Sequence, residues 1–437
     1  MSRLRILAVT WGLATIAPRT AIPCEYAPDM PSRIYSLRDV GLSSARYAEL
    51  ASEWGRYVES HPRSALALVN WVRARNYARD KETTDRLELL QRAVRLDPDC
   101  PEALVELANE EFGLSLQSGK PTMDAVRARL ERAVELAPEW PTPHFYLFNV
   151  DLLFGDAAAV SRQMELLVRK RGFPAPLLDF AYNLLSSADP GAIVLTNGDN
   201  DTYPTLAMQS VFGVRKDVRV VNLSLLNLMR YAKGVWASSP SAPAPLTEQE
   251  ILRRKRDAGD EYADGPSIVA ALMQKIADGE WTTPVYFATT VPQSYIDSVC
   301  RQALQREGLL HRVLPTAASM PSDGWPIALA KTDSLLTQVY RLESSTDFSY
   351  AWDPESSPGQ MMWNYFGLWY RVATGYAESG DLEGVRRMLR PAVAWLRFHP
   401  ELRRARDEDP LPKLLAYWRE LDPENPEVQR LQQEIDR

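Results

Sequence analysis

The sequence predicts an α + α/β chain, with helical repeats on both flanks of a small parallel α/β domain. Three observations predict it. A proline-ended octad recurs near the start, and a second helix-pair pattern lies near the end. Between them sit short apolar, β-rich runs separated by stretches with helical spacing.

The flanks come first, because self-similarity governs the rest. Gln91-Arg-Ala-Val-Arg-Leu-Asp-Pro98 recurs as Glu131-Arg-Ala-Val-Glu-Leu-Ala-Pro138, and a degraded copy ends at His61-Pro62. These prolines are spaced wider than the ~34-residue period of tetratricopeptide repeats. For the second interval a longer loop over Leu116 to Thr122 accounts for the excess. Small residues fall where two helices must approach: Ala74 and Ala93, then Ala108 and Ala133. Tyr77 shares a helix face with Ala74. A further unit runs from Pro141 to Pro174, with Phe154-Gly155-Asp156 as its turn. Near the end, Trp369, Val372, Ala373 and Tyr376 follow the pattern W-x2-L-G-x2-Y, with Val for Leu and Ala for Gly. Gly380-Asp381 makes the turn, His399-Pro400 closes the second helix, and Ala416 to Pro423 is a partial unit. Both flanks resemble tetratricopeptide arrays, over 40–188 and 336–437. Such pairs bury their faces only by stacking, which implies a protein partner on the shared surface. The named Ala, Tyr and Trp residues read as packing.

The middle, 189–335, changes pattern. Ala192 to Thr196, Val218 to Leu226 and Pro284 to Thr290 read as strands, and His311 to Pro315 as a fourth. Thr205 to Phe212, Ile268 to Ala277 and Asp297 to Arg306 read as helices. Strand–helix–strand alternation implies parallel strands with helical crossovers, hence a Rossmann-like parallel sheet. Ser238 to Tyr262 reads as a surface excursion.

In open α/β sheets, ligands bind outside the carboxyl ends of the strands. Three polar clusters fall there: Asn197, Asp199, Asn200, Asp201 and Thr202 after the first strand, Asn222 and Ser224 at the second, and Thr289 and Thr290 after the third. Asp199 and Asp201 point the same way along an extended backbone, so they can hold Mg2+ or Mn2+ beside a substrate phosphate. The same carboxylates can accept hydrogen bonds from sugar hydroxyls. The competing reading is capping: Asp201 or Thr202 opens a helix whose first turn holds Pro204, and Gly198 makes a turn. Two carboxylates this close repel unless a cation lies between them. Arg215, Lys216 and Arg219 are the nearest in sequence.

Ala192-Ile-Val-Leu-Thr-Asn-Gly-Asp-Asn-Asp-Thr-Tyr-Pro204 and Gly213-Val-Arg-Lys-Asp-Val-Arg-Val-Val-Asn-Leu-Ser-Leu-Leu226 resemble the soluble part of a bacterial membrane family known as protein O-mannosyltransferase-like. Pro284-Val-Tyr-Phe-Ala and Glu307 to Pro315 fit it too, so the resemblance covers about 190–315. The transferase activity of that family rests on a membrane half and its luminal carboxylate. This sequence carries no such half. The resemblance therefore implies an accessory α/β domain working on glycans at the cell envelope, without the transferase activity.

Composition narrows the classes. With 45% hydrophobic residues the chain is not disordered. A net charge of −7 disfavours nucleic acid as a partner. Cys24, Cys100 and Cys300 give neither a disulfide framework nor zinc spacing. No serine sits in a Gly-x-Ser-x-Gly turn, and His311 is the histidine of the insert. Arg3 and Arg5 before the apolar run Ile6 to Ala17 have the layout of a secretory signal. The run is too short for a stable membrane span. Pro18, and Arg19 ahead of Ala21, make poor cleavage sites. Residues 1–23 thus read as a signal peptide or short anchor of a periplasmic or otherwise exported protein, or as a buried segment of a cytoplasmic one.

Two functions follow. One is an envelope-associated interaction protein, its repeats holding a protein and its α/β domain a small polar ligand such as a glycan. The other is a metal-dependent glycosyl- or phosphoryl-transfer enzyme using Asp199 and Asp201.

Overall fold

The computed structural model describes residues 26–79, 85–118, 121–237, 244–255, 262–322, 324–346, 356–400, 403 and 408–435. The signal or anchor expected over 1–23 lies outside them. Eight helices come first: α1 (Ser44–Ser60), α2 (Ala65–Tyr77), α3 (Arg86–Leu96), α4 (Pro101–Ser118), α5 (Met123–Leu136), α6 (Thr142–Phe154), α7 (Ala157–Arg169) and α8 (Ala175–Ser187). Side chains on the preceding residue start several of them. Ser43, Ser64, Thr122 and Asp156 accept the N–H groups of Arg46, Ala67, Ala125 and Ala159. Helices α1, α3 and α5 end one or two residues before a proline, where the helical conformation is disfavoured.

From α1 to α7 each helix packs on the next, and α2 also meets α4, and α4 meets α6. That is the contact pattern of stacked helix pairs. Ala74, Ala93, Ala108 and Ala133 are all buried, so the small residues stand where the backbones come close. Phe154-Gly155-Asp156 makes the turn into α7, and Asp156 caps it.

The insert holds β1 (Ile193–Thr196), α9 (Asp199–Ser210), β2 (Arg219–Asn222), α10 (Met229–Trp236), α11 (Glu248–Leu252), α12 (Gly265–Ala277), β3 (Val285–Ala288), α13 (Gln293–Val299), β4 (Gln302–Glu307) and β5 (Leu310–Ala317). The sheet order is β2-β1-β3-β5-β4. β1 runs parallel to β2 and β3, in register Thr196 to Asn222 and Leu195 to Phe287. Every residue of β1 and β3 is buried, as expected for strands covered on both faces.

The sheet is mixed, which corrects the all-parallel expectation. β5 is antiparallel to β3, and β4 to β5. The helix expected over Asp297 to Arg306 ends at Val299, and β4 follows. Gly308 makes the reversal to β5 with φ of 58°. A Cβ there would lie 2.0 Å from the Tyr340 hydroxyl, so only glycine fits. Two smaller corrections concern boundaries. α9 begins at Asp199 rather than near Thr205, which puts Pro204 inside the helix. The described part of the 238–262 excursion contains α11, opened by a reciprocal Thr247–Glu250 cap.

The chain continues through α14 (Leu329–Ser334) and α15 (Glu343–Thr346) to α16 (Ser357–Glu378), α17 (Leu382–Phe398), α18 (Pro410–Leu421) and α19 (Pro426–Ile435). The last four pack in sequence. Trp369, Val372 and Ala373 are buried in the same core as the sheet. Among the described residues no helix is long and apolar enough to cross a membrane.

Candidate functional site at the carboxyl edge of the sheet

β1 delivers the chain to Asn197 and Gly198, and α9 begins at once. Asp201, in the first turn, reaches back to the loop. Its Oδ2 accepts the Asn197 N–H at 2.7 Å and its Oδ1 the Gly198 N–H at 2.8 Å. The Thr290 hydroxyl, just past β3, donates to Oδ2 as well. Burial raises the Asp201 carboxyl above its ordinary range, and the Thr290 and backbone hydrogen bonds oppose that rise.

Thr202 and Asn222 lie beneath. Thr202 Oγ1 is 2.7 Å from Thr196 Oγ1 and accepts from Asn222 Nδ2 at 2.9 Å. Asn222 Oδ1 accepts the Leu225 N–H at 2.9 Å. Both are buried and tie β1, β2 and α9 together. Ser224 is exposed and donates to the Asn197 carbonyl at 3.3 Å. Thr289 spends its N–H on the Leu309 carbonyl, while its hydroxyl is buried without a hydrogen-bond partner.

Asp199 behaves differently. It is the first residue of α9, at the positive end of the helix dipole, with its side chain 43% exposed. The cation facing it is Arg38, whose Nη1 lies 3.6 Å from Asp199 Oδ2. Arg38 also lies over the Phe145 ring of α6, 3.8 Å from its centroid. Burial alone would lower the Arg38 guanidinium, but Asp199 and other neighbours more than offset it and leave it raised. Asn200 Nδ2 donates to the Arg38 carbonyl at 2.9 Å.

Arg38 arrives on an extended strap that precedes α1. Asn70 Oδ1 of α2 accepts the Ile34 N–H at 2.9 Å, and Arg73 donates to the Ile34 carbonyl at 3.2 Å. Trp54 of α1 donates to the Ser32 carbonyl at 3.0 Å. At the far end, Ser357 of α16 donates to the carbonyls of Leu37 and Asp39. The strap thus joins the N-terminal helices, the sheet edge and α16.

These pieces enclose a crevice of about 430 Å³. Leu37 and Arg38 form one wall, and Asn197 to Asp201 with Thr290 form the floor. Ser357, Gln360, Met361 and Asn364 of α16 form the other wall. Of the residues singled out by sequence, Asn197, Asp199, Asn200 and Asp201 line it. Thr202 and Asn222 sit below it, and Ser224 and Thr289 stand apart. Arg38, Gln360 and Asn364 carry no local motif and enter from distant segments. The cations expected from sequence, Arg215, Lys216 and Arg219, are not the ones facing the pair. They precede or begin β2, at the opposite edge of the sheet. Arg215 pairs with Asp217 and donates to the carbonyls of Leu185 and Ala188.

Among the described residues no group of three or more His, Cys, Asp and Glu side chains gathers as a metal-binding cluster. In this arrangement Asp199 and Asp201 open on one crevice. Asp201 already accepts several hydrogen bonds, whereas Asp199 is open to solvent on one side.

Residues 177–262 match a family described as TMEM260-associated domain 2. The match runs from α8 through β1, the Asn197–Asp201 loop and β2 into the segment after α11. It holds the Asn197–Asp201 part of the crevice floor but not Thr290, the strap or α16. No curated protein is detectably similar to this chain.

Proposed function

We propose that this is a non-catalytic, envelope-associated interaction protein whose crevice binds a small, uncharged, hydroxyl-rich ligand such as a glycan. The carrying observation is the pairing of Arg38 with Asp199. The guanidinium is already answered and largely buried, so the crevice offers no open positive charge for a phosphate from that side. What it does offer is acceptors. Asp199 presents a partly exposed carboxylate. Thr290 gives its proton to Asp201, which leaves its hydroxyl oxygen as an acceptor in the crevice lining. The side-chain oxygen of Asn364 joins them, because its Nδ2 is spent on the Met361 carbonyl. A ligand rich in O–H donors complements such a lining.

The flanks read as tetratricopeptide-like stacks that hold a protein partner, supported by the pairwise packing and the buried alanines. The Rossmann-like reading of the insert is supported by its parallel β2-β1-β3 core. The likeness of about 190–315 to the O-mannosyltransferase-like soluble domain supports a glycan at the cell envelope. Export belongs to the same reading. N-terminal sequencing of the protein from native cells would support it with a start beyond residue 21, and would contradict it with an intact Met1 in the cytosol.

A glycan array probed with wild type and Asp199→Ala tests the central reading. Retention of at least one glycan by wild type and its loss in the variant, with the variant still cooperatively folded at the assay temperature, supports it. A second reading, metal-dependent glycosyl or phosphoryl transfer, draws on the same observation that Asp199 and Asp201 line one crevice. It requires Mg2+ or Mn2+ to replace backbone N–H partners of Asp201. Calorimetric Mn2+ binding that Asp199→Ala abolishes would establish it over the first.

A further inference from the structure

The β4–β5 hairpin sorts its charges by face. Successive strand residues point to opposite sides, so Glu307 and Arg312 share one face and Arg306 and His311 the other. On the first face every charge is answered. The Glu307 carboxylate, 3% exposed, accepts from Lys331 and from Tyr286, and Arg312 stands 3.5 Å away. Asp189 completes the set at 3.0 Å from Arg312 and 2.8 Å from Lys331.

The second face carries the Arg306 cation with no acid paired to it among the described residues. Arg306 and His311 are directly opposed in the β4–β5 register. Arg306 Nε is buried with no hydrogen-bond partner, and its side chain makes no ion pair among the described residues. Its guanidinium lies against α16, where a Cβ on Gly367 would stand 3.8 Å from Nη2. Arg371, one helical turn further on the same face of α16, donates to the Trp325 carbonyl at 3.1 Å. The backbone of Arg306 pairs with the Trp325 segment, through the Pro326 carbonyl and the Ala328 N–H. Two more polar atoms there are buried and unpartnered, Trp325 Nε1 and His311 Nδ1. Burial pushes Arg306 down to about 10, with Tyr340 opposing and Arg371 adding to the fall. Burial and then Arg306 push His311 down to about 3. Arg306, His311 and Arg371 all retain partial exposure, so the cluster is set into the protein but reachable by solvent.

An arginine cannot shed its charge at neutral pH, and an unpaired buried charge is costly. Buried polar groups are ordinarily hydrogen-bonded, so the unpartnered Arg306 Nε, with His311 Nδ1 opposite it in register, calls for an acceptor. We propose that Arg306 and His311, opposed on the face that packs toward α16, form a binding site for a small oxyanion of the phosphate type. The guanidinium fork of Arg306 would meet two oxygens at once. This site lies outside the crevice and does not depend on how that crevice is read.

The test uses the full chain and inorganic phosphate. Thermal unfolding is followed in sodium phosphate and in sodium chloride of equal ionic strength, with calorimetric titration alongside. Wild type should melt higher in phosphate, because a ligand bound to the native state alone raises its stability. Arg306→Met should lose that phosphate-specific rise and melt no lower than wild type in chloride. Arg306→Lys keeps the charge without the fork and should bind phosphate roughly tenfold to a hundredfold more weakly. An identical wild-type melting temperature in both salts would overturn the proposal. So would a phosphate response retained in Arg306→Met or, if that variant does not fold, undiminished affinity in Arg306→Lys.

Discussion

Arg38 and Asp199 face each other at 3.6 Å, one from a strap before the first helix and the other from the turn after the first strand. Their meeting turns three separate parts of the chain into one crevice. Replacing Arg38 removes a half-screened ion pair and a stacking contact on Phe145. Because Asp199 is 43% exposed, the ion pair counts at the surface rate. Arg38→Ala should cost about 1–2 kcal/mol in urea unfolding.

Asp201 holds its own loop closed. Asp201→Ala would leave the N–H groups of Asn197 and Gly198 without their acceptor and should destabilise by about 1–2 kcal/mol. The pH dependence has a definite sign. The folded carboxyl is raised above its ordinary 3.8, so the native state binds that proton more tightly. The stability of wild type relative to Asp201→Asn should be greatest below pH about 3.8 and fall as pH rises through the folded value. Unfolding curves of both proteins across the acid range measure it.

Asp217 runs the other way. Its hydrogen bonds from Arg215, against a smaller effect of burial, lower its carboxyl to about 2. Its contribution is therefore present above the ordinary value of 3.8 and lost as pH falls through about 2. The stability difference between wild type and Asp217→Asn should be constant near neutrality and vanish over that window.

Gly308 is the tightest position of the hairpin. Its φ is 58°, and a Cβ would meet Tyr340, Ser187 and Leu335 at or below 2.9 Å. Gly308→Ala should cost about 3 kcal/mol or more, combining left-handed strain with overpacking. A loss below 1 kcal/mol in urea unfolding would show that the turn relaxes freely.

Local pattern carried much of the architecture. The helices around Ala74, Ala93, Ala108 and Ala133 were legible because small residues and prolines punctuate a helical period. β1 and β3 were legible because strands buried on both faces read as unbroken apolar runs. β4 was not, since Gln302 to Glu307 mixes polar and apolar residues and the glycine that reverses it is legible only against Tyr340. At the site, the Asn197–Asp201 loop announced itself by the strand-to-helix switch. Its partner Arg38 did not, because nothing in Leu37-Arg38-Asp39 marks a contact made across more than a hundred residues. Sequence proximity favoured Arg215 and Arg219 instead, and topology sends those to the far edge.

Hydrogen exchange tests most directly whether the strap, the β1–α9 loop and α16 act as one ligand site. The protein would be compared alone and saturated with a glycan retained on the array. The account predicts slowed exchange in all three segments, 36–40, 197–202 and 357–364, with the outer turns of α3 and α5 unchanged. Protection confined to the helical flanks, with those three segments exchanging as in the free protein, would contradict it.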